Sequence, residues 1–151
     1  MKIVFARRED AAALTAIAFA AKRHWGYPDS WMQHWTTALT LSDDYVAAHP
    51  TFVAVIDGSP AGFCAVQFRA DEAQLDHLWV LPAAMRRGIG SALFARAEQA
   101  ARERGARRLT IVGDPHAEGF YLKMGARVYG RELAAIDGVE RFLPLLEKPL
   151  A

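Results

Sequence analysis

The sequence predicts a mixed α/β fold built on one central sheet, and three observations carry that prediction. Residues 51–70, TFVAVIDGSPAGFCAVQFRA, hold two β-prone runs joined at Asp57-Gly58-Ser59-Pro60, the pattern of a hairpin. Residues 74–113 read as strand, glycine turn, long helix and strand, the pattern of a crossover between neighbouring strands. Helical periodicity comes before the hairpin and again after the crossover, so helices are placed on both sides of the strands in the chain.

Each element has its own reason. KIVFA at the N-terminus reads as a short strand, and residues 9–25 as a helix with Leu14, Ile17 and Ala18 at helical spacing. Pro28 breaks the chain after that helix, and Asp29 or Ser30 is placed to cap a second helix carrying Trp31 and Trp35 on its core face. Ser42 is placed to cap a shorter helix over 43–49. QLDHLWVL is a strand ended by Pro82, and a helix from about Gly88 to Arg104 buries Ile89, Leu93, Phe94 and Ala97. Gly105 ends that helix. RRLTIVG is the next strand, HAEGFYLKMG a short helix closed by Gly125, and ARVYGRE and VERFLPLLEK are the last strands. Pro144 inside the final run argues for an edge strand or a bulge.

Composition sets the bounds. A chain of 151 residues, 52% hydrophobic, is expected to form one domain over 1–151 with a core of its own. A net charge of +1 argues against a polyanionic partner such as nucleic acid or a membrane surface. Cys64 is the only cysteine, which excludes a disulfide framework and suits a reducing cytoplasm. No run approaches the roughly 18 apolar residues of a membrane span, and the scattered histidines do not suggest a metal site.

The glycine turn MRRGIGS carries the strongest functional signal. Gly88 and Gly90 lack a Cβ, so the backbone there can approach a ligand closely. Free amides and the positive end of the helix dipole favour an anion, and Arg86 and Arg87 add charge. The spacing is neither a dinucleotide fingerprint nor a phosphate-binding loop with Gly-Lys-Ser/Thr. A tight strand-to-helix turn with no ligand is the structural alternative.

Over residues 75–126, LDHLWVLPAAMRRGIGSALFARAEQAARERGARRLTIVGDPHAEGFYLKMGA resembles the core of the GCN5-related N-acetyltransferases. The resemblance implies a mostly antiparallel sheet flanked by helices, with a splayed V between the fourth and fifth strands. It implies that Arg86, Arg87, Gly88, Ile89, Gly90 and Ser91 cradle the diphosphate of acetyl-CoA, and that Leu78 and Val80 offer backbone bonds to the pantetheine arm. Phe120 would pack against the coenzyme. Met85 stands where the family carries Gln or Arg, and Asp114 where many members have Asn beside the pantetheine. Asp114 has a second reading as the cap of the helical turn at His116. Tyr121 matches the tyrosine that members aim at the coenzyme sulfur, where a phenol can protonate the departing thiolate.

Acetyl transfer also needs a proton acceptor, because a free alkylamine with pKa near ~10.4 is protonated at neutral pH. Asp76, His77 and water are the candidates. Strict strand alternation puts Asp76 on the side of Leu78 and Val80 and His77 on the other, which favours Asp76. Trp25 and Tyr27, flanking Gly26, are the candidate acceptor contacts. The expected activity is transfer from acetyl-CoA to a primary amine, on a small molecule or a protein, by direct attack and without a metal. A coenzyme-binding or regulatory module without turnover is the other reading, and the resemblance leaves a homodimer through the late strands open.

Overall fold

The structure is a computed structural model that describes residues 1–150. Seven strands form one sheet in the order β1-β2-β3-β4-β5-β7-β6: β1 Lys2–Phe5, β2 Thr51–Ile56, β3 Ser59–Arg69, β4 Glu72–Val80, β5 Arg108–Val112, β6 Arg127–Leu133 and β7 Phe142–Pro149. Every pairing is antiparallel except β4 with β5. The helices are α1 Ala11–Arg23, α2 Asp29–His34, α3 Thr36–Leu39, α4 Asp43–Ala48, α5 Ile89–Glu103 and α6 Glu118–Lys123.

The two faces of the sheet bury separate apolar sets. Leu93, Phe94, Ala97 and Ala101 of α5 pack on Phe52, Cys64, Leu75, Leu109 and Leu146. Leu14, Ile17 and Ala18 of α1, with Met32 and Val46, pack on Val53 and Phe63. The stripes expected for both long helices are therefore the buried ones. Truncating a fully buried leucine such as Leu14 or Leu93 to alanine is expected to cost about 2–5 kcal/mol.

Local chemistry ends the elements. The Tyr45 amide donates to Ser42 Oγ at 3.0 Å, the predicted cap of α4. Asp57 and Gly58 both have positive φ, 50° and 79°, so the β2–β3 turn has two residues, and Ser59-Pro60 belongs to β3.

Two expectations are corrected. Neither Asp29 nor Ser30 caps α2: Pro28 holds the N-cap position without a side-chain bond, and Trp35, at φ −94° and ψ 3°, separates α2 from α3. Of the two readings of Pro144 the edge is overturned, since β7 lies between β5 and β6, while an irregularity does fall beside it, where the β6–β7 register shifts between Val128 and Gly130 opposite Leu146 and Leu145. β5 ends opposite Leu145, and the Pro144 carbonyl accepts from Gly113 beyond that end. A strand residue points its N and O the same way, so the missing donor faces the place where the ladder with β5 has stopped.

Candidate active site

β4 and β5 diverge, and the cleft begins there. They pair only from Glu72, Ala73 and Gln74 to Arg108, Leu109 and Thr110, after which β4 runs on to Val80 without a partner on that side. The opening leads into a cleft of about 510 Å³ lined by Leu78, Val80, Gly88, Gly90, Ser91, Phe120 and Tyr121, a volume suited to a small-molecule ligand. A charged hollow of about 640 Å³ beyond the other end of β5 has its charges paired, Arg107 with Asp71, Arg108 with Glu72 and Glu147, and Arg102 with Glu98, which also holds Lys148.

The glycine turn closes one end of the cleft. Gly88 is the N-cap of α5 in the left-handed region, φ 78°, where a side chain would be strained. It has no side chain to bond the first amides of the helix, and the first internal bond runs from the Ala92 amide to the Gly88 carbonyl. The amides of Ile89, Gly90 and Ser91 meet no acceptor among the described residues. Unsatisfied donors gathered at the positive end of a helix of 15 residues favour an anion. Met85 and Arg86 line the same end, while the Ile89 side chain goes into the core and leaves only its backbone for the turn. Arg87 stands exposed beside the lining residues.

β4 holds a surprise in its middle. Ala65 pairs with His77 and Val66 with Leu75, so Asp76 has no partner in β3 and forms a β-bulge. The extra residue breaks the alternation. Leu75, Leu78 and Val80 face the α5 core, while Asp76 and His77 turn together toward α4. Their Oδ2 and Nε2 atoms stand 3.8 Å apart. The expectation that Asp76 shares a face with Leu78 and Val80 is therefore overturned, although Asp76 still lines the cleft. Its carboxylate accepts a short bond from the Tyr45 hydroxyl and one from Gln67 Nε2 at 3.1 Å. Burial pushes the His77 imidazole below its ordinary pKa against the pull of Asp76. Its Nδ1 accepts from Trp79 Nε1 at 3.0 Å, which leaves the proton of the neutral ring on Nε2. Tyr45 and Gln67 escaped the sequence reading because a bulge built without glycine leaves no local mark.

Tyr121 lines the cleft from α6, packed against Phe94 and Phe120 at centroid distances of 6.2 and 5.3 Å. Burial, with the negative charge of Asp114 adding to it, raises the phenol well above its ordinary pKa, so it keeps its proton.

Asp114 is a hub. Its carboxylate caps the following turn by accepting from the His116 amide at 2.9 Å, accepts from the Tyr27 hydroxyl at 2.9 and 3.0 Å, and pairs with Lys22 at 2.6 Å. Burial opposes its charge, yet the Lys22 ammonium and these donors hold it below the usual carboxylate range. Both side chains of the pair are about nine-tenths buried. The capping reading of Asp114 is realised, and the residue also lines the cleft. Tyr27 does not line the cleft. It lies behind Asp114, with its phenol pushed up to about 12 by burial and by that carboxylate. Trp25, 38% exposed, does line it and stacks on His116 at 4.8 Å with the rings 5° from parallel. Of the two tryptophans expected on the core face, Trp35 packs against the α1-side core and Trp31 does not; both are half-buried and form an aromatic cluster with Tyr27. Arg141, from the loop between β6 and β7, enters that cluster. Lys22 and Arg141 had no sequence signal, because their partners lie far away in the chain.

Residues 12–126 match the family described as Acetyltransferase (GNAT) family. The chain belongs to that family. The fold says the same: a GCN5-related N-acetyltransferase from Rhodopseudomonas palustris, also described as a class-II aminotransferase, superposes with a TM-score of 0.82 at 26% identity, covering 99% of this chain and 95% of that one. The PaiA N-acetyltransferase of Thermoplasma acidophilum, crystallised with coenzyme A, superposes with a TM-score of 0.74 at 20% identity over 98% of each chain. By sequence, a provisional ribosomal protein bS18-alanine N-acetyltransferase of Bacillus subtilis (strain 168) is 32% identical over 77 residues. That match spans 49% of this chain and 51% of the Bacillus protein, about half of each. The diverging β4 and β5, the glycine turn and α5 are thus the GNAT arrangement in this chain. No helix among the described residues is long and apolar enough to cross a membrane, and no group of three metal-ligating side chains occurs among them.

Proposed function

We propose that this chain, as one domain over residues 1–151, is an N-acetyltransferase that moves an acetyl group from acetyl-CoA to a primary amine in a ternary complex. One observation carries the reading: the unsatisfied amides of Gly90 and Ser91, with that of Ile89 beside them, stand at the same cleft as the unpaired edge of β4, Asp76 and Tyr121. A diphosphate matches the amides, with Arg86, Arg87 and Gly88 around it, and Ile89 contributing backbone alone. An extended pantetheine arm matches the edge at Leu78 and Val80, as an added strand would. Phe120 packs along that arm, and Asp114 flanks it.

The chemistry needs no metal. Asp76 receives the proton of the substrate ammonium, directly or through water, and the neutral amine attacks the thioester carbon. As the carbon–sulfur bond breaks, the Tyr121 phenol gives its proton to the thiolate, and the second proton shed by the amine nitrogen restores the phenol through water. Trp25 lines the acceptor end, while Tyr27 supports that wall through Asp114. A route through an acetylated cysteine is disfavoured, because Cys64 is buried, donates to the Leu93 carbonyl, and has its thiol pushed up to about 12 by burial. The Bacillus relative, named for a ribosomal protein alanine, supports an amine as acceptor. Cytoplasmic work on such an amine follows, with no nucleic acid or membrane involved.

The test is thiol release from acetyl-CoA across a library of amines. Release that depends on the amine, with initial-rate lines that intersect as both substrates vary, is the expected result. Tight coenzyme binding without release for any amine would leave a binding module instead.

A further inference from the structure

The carboxylate of Asp76 is held by one oxygen and open at the other. Oδ2 accepts from the Tyr45 hydroxyl and from Gln67 Nε2 at 3.1 Å, and His77 Nε2 stands 3.8 Å from it. Oδ1 accepts from no group of the described residues. Among those residues the only buried side-chain nitrogen or oxygen without a partner is Nη1 of Arg96, so Oδ1 is not closed in. Asp76 lines the cleft and its side chain is 27% exposed, whereas Tyr45 and Gln67 stand outside the lining. The bonded oxygen is therefore turned into the protein, and the other is left for a ligand.

The donors are themselves held in place. Tyr45 sits on α4, where its amide donates to Ser42 Oγ, and its ring lies 4.6 Å from that of His49 and 5.7 Å, edge to face, from that of His77. Burial pushes the phenol up, and the Asp76 carboxylate pushes it the same way, so the hydroxyl keeps its proton and donates. Gln67 comes from the neighbouring strand β3. His77 cannot replace Asp76 as the base, because the one lone pair of its neutral ring, on Nδ1, is taken by the Trp79 indole N–H. No lysine or arginine of the described residues lies within 4.0 Å of the Asp76 carboxylate: Arg8 pairs with the exposed Asp44 of α4, and Lys22 of α1 with Asp114. Asp76 thus keeps its charge for an incoming ammonium.

We propose that Tyr45 is a positioning residue: with Gln67 it fixes Asp76 by Oδ2, so that Oδ1 is the atom that takes the proton of the substrate ammonium. This rests on the acetyl-transfer reading above. The N–H bond breaks with its electron pair left on nitrogen, the O–H bond forms on Oδ1, and the proton passes to water before the next turnover. A carboxylate held in this way needs no reorientation as the proton moves, whereas one pinned by nothing would have to find the amine anew in each turnover.

The experiment measures the single-turnover rate of acetyl transfer and the steady-state KM of the best amine from the library, in Tyr45→Phe, Asp76→Ala and the double variant. Tyr45→Phe keeps the ring beside His49 and His77 and deletes only the donor. It is expected to lower the transfer rate about 10- to 100-fold, the scale of a misplaced reacting group, while the KM of the amine and the melting shift produced by coenzyme A stay near wild type. Asp76→Ala is expected to lower the rate at least as much. Adding Tyr45→Phe to Asp76→Ala should lower it no further, because the hydroxyl acts only through the carboxylate. If Tyr45→Phe melts early, Gln67→Met carries the same test with the same lack of additivity expected. An equal loss from Tyr45→Phe with and without Asp76, the result of a hydroxyl that merely fastens α4 to the sheet, would overturn the proposal. A wild-type transfer rate in Tyr45→Phe or in Asp76→Ala would do the same. These outcomes remove this inference alone, since turnover by the wild type upholds acetyl transfer; coenzyme binding without turnover of any amine removes the acetyl-transfer reading and this inference with it.

Discussion

The acid role proposed for Tyr121 requires a protonated phenol, and burial keeps it protonated through neutral pH. The same burial makes it a weaker acid, so transfer to a thiolate whose parent thiol has pKa near ~8.5 has to be coupled to carbon–sulfur cleavage. Tyr121→Phe keeps the ring contacts with Phe94 and Phe120, so coenzyme affinity should hold while kcat falls by about 10²- to 10⁴-fold where breakdown of the tetrahedral intermediate limits turnover. Single-turnover measurement checks this, and unchanged chemistry would leave Tyr121 a packing residue. Asp114 makes a stability prediction. Its folded pKa is depressed below the ordinary 3.8, so its contribution is complete above that value and is lost as pH falls through the lower folded one. Asp114→Asn should cost about 3–5 kcal/mol at pH 7, because Lys22, which burial already pushes below its ordinary pKa, loses the partner that holds its charge. The variant should also lose the part of the wild-type acid sensitivity that Asp114 supplies below about pH 4, as read by urea unfolding at pH 7 and pH 3.

At the scale of elements, the glycine turn was legible because its chemistry is local: two glycines, a helix start and flanking arginines all occur within one short stretch. The bulge was not. Asp76 and His77 read as opposite-facing because alternation is the default of a strand, and the extra residue shows only when β4 is laid against β3. The edge reading of Pro144 failed for a related reason, since the position of β7 between β5 and β6 depends on pairing across the chain. The turn makes the sharper prediction. A Cβ at Gly90 would lie 3.3 Å from the Phe120 ring, and an aspartate there would also put negative charge at the free amides. Gly90→Asp should therefore abolish most coenzyme binding, measured by titration calorimetry, while circular dichroism shows a folded protein. The acceptor wall behaves differently. Trp25 is 38% exposed, so Trp25→Ala should raise the KM of the amine without the ~3–5 kcal/mol loss that truncating a core tryptophan brings.

Two apolar cores on opposite faces of one sheet meet across a strand whose far edge is unpaired, and this makes the cleft a seam in the whole molecule. Beyond Gln74 the edge of β4 lacks its neighbour, and the amides at the start of α5 lack acceptors. A ligand that supplies both should therefore stabilise the native state as a whole, since it binds the folded chain and not the unfolded one. At 100 times its dissociation constant the gain is ~2.7 kcal/mol. For a chain of this size each kcal/mol raises Tm by roughly 2–4 °C, so acetyl-CoA or coenzyme A should shift the melt by about 5–10 °C. ATP and NAD carry phosphates for the turn but no pantetheine arm for β4, and at equal concentration they should shift it far less. Hydrogen exchange separates the two halves of the contact: acetyl-CoA should slow the amides of Ile89, Gly90 and Ser91 and also those on the open edge of β4, whereas ATP should slow the turn alone. Equal shifts for ATP and acetyl-CoA, or protection confined to the turn with both ligands, would mean that the open edge of β4 takes no part in binding.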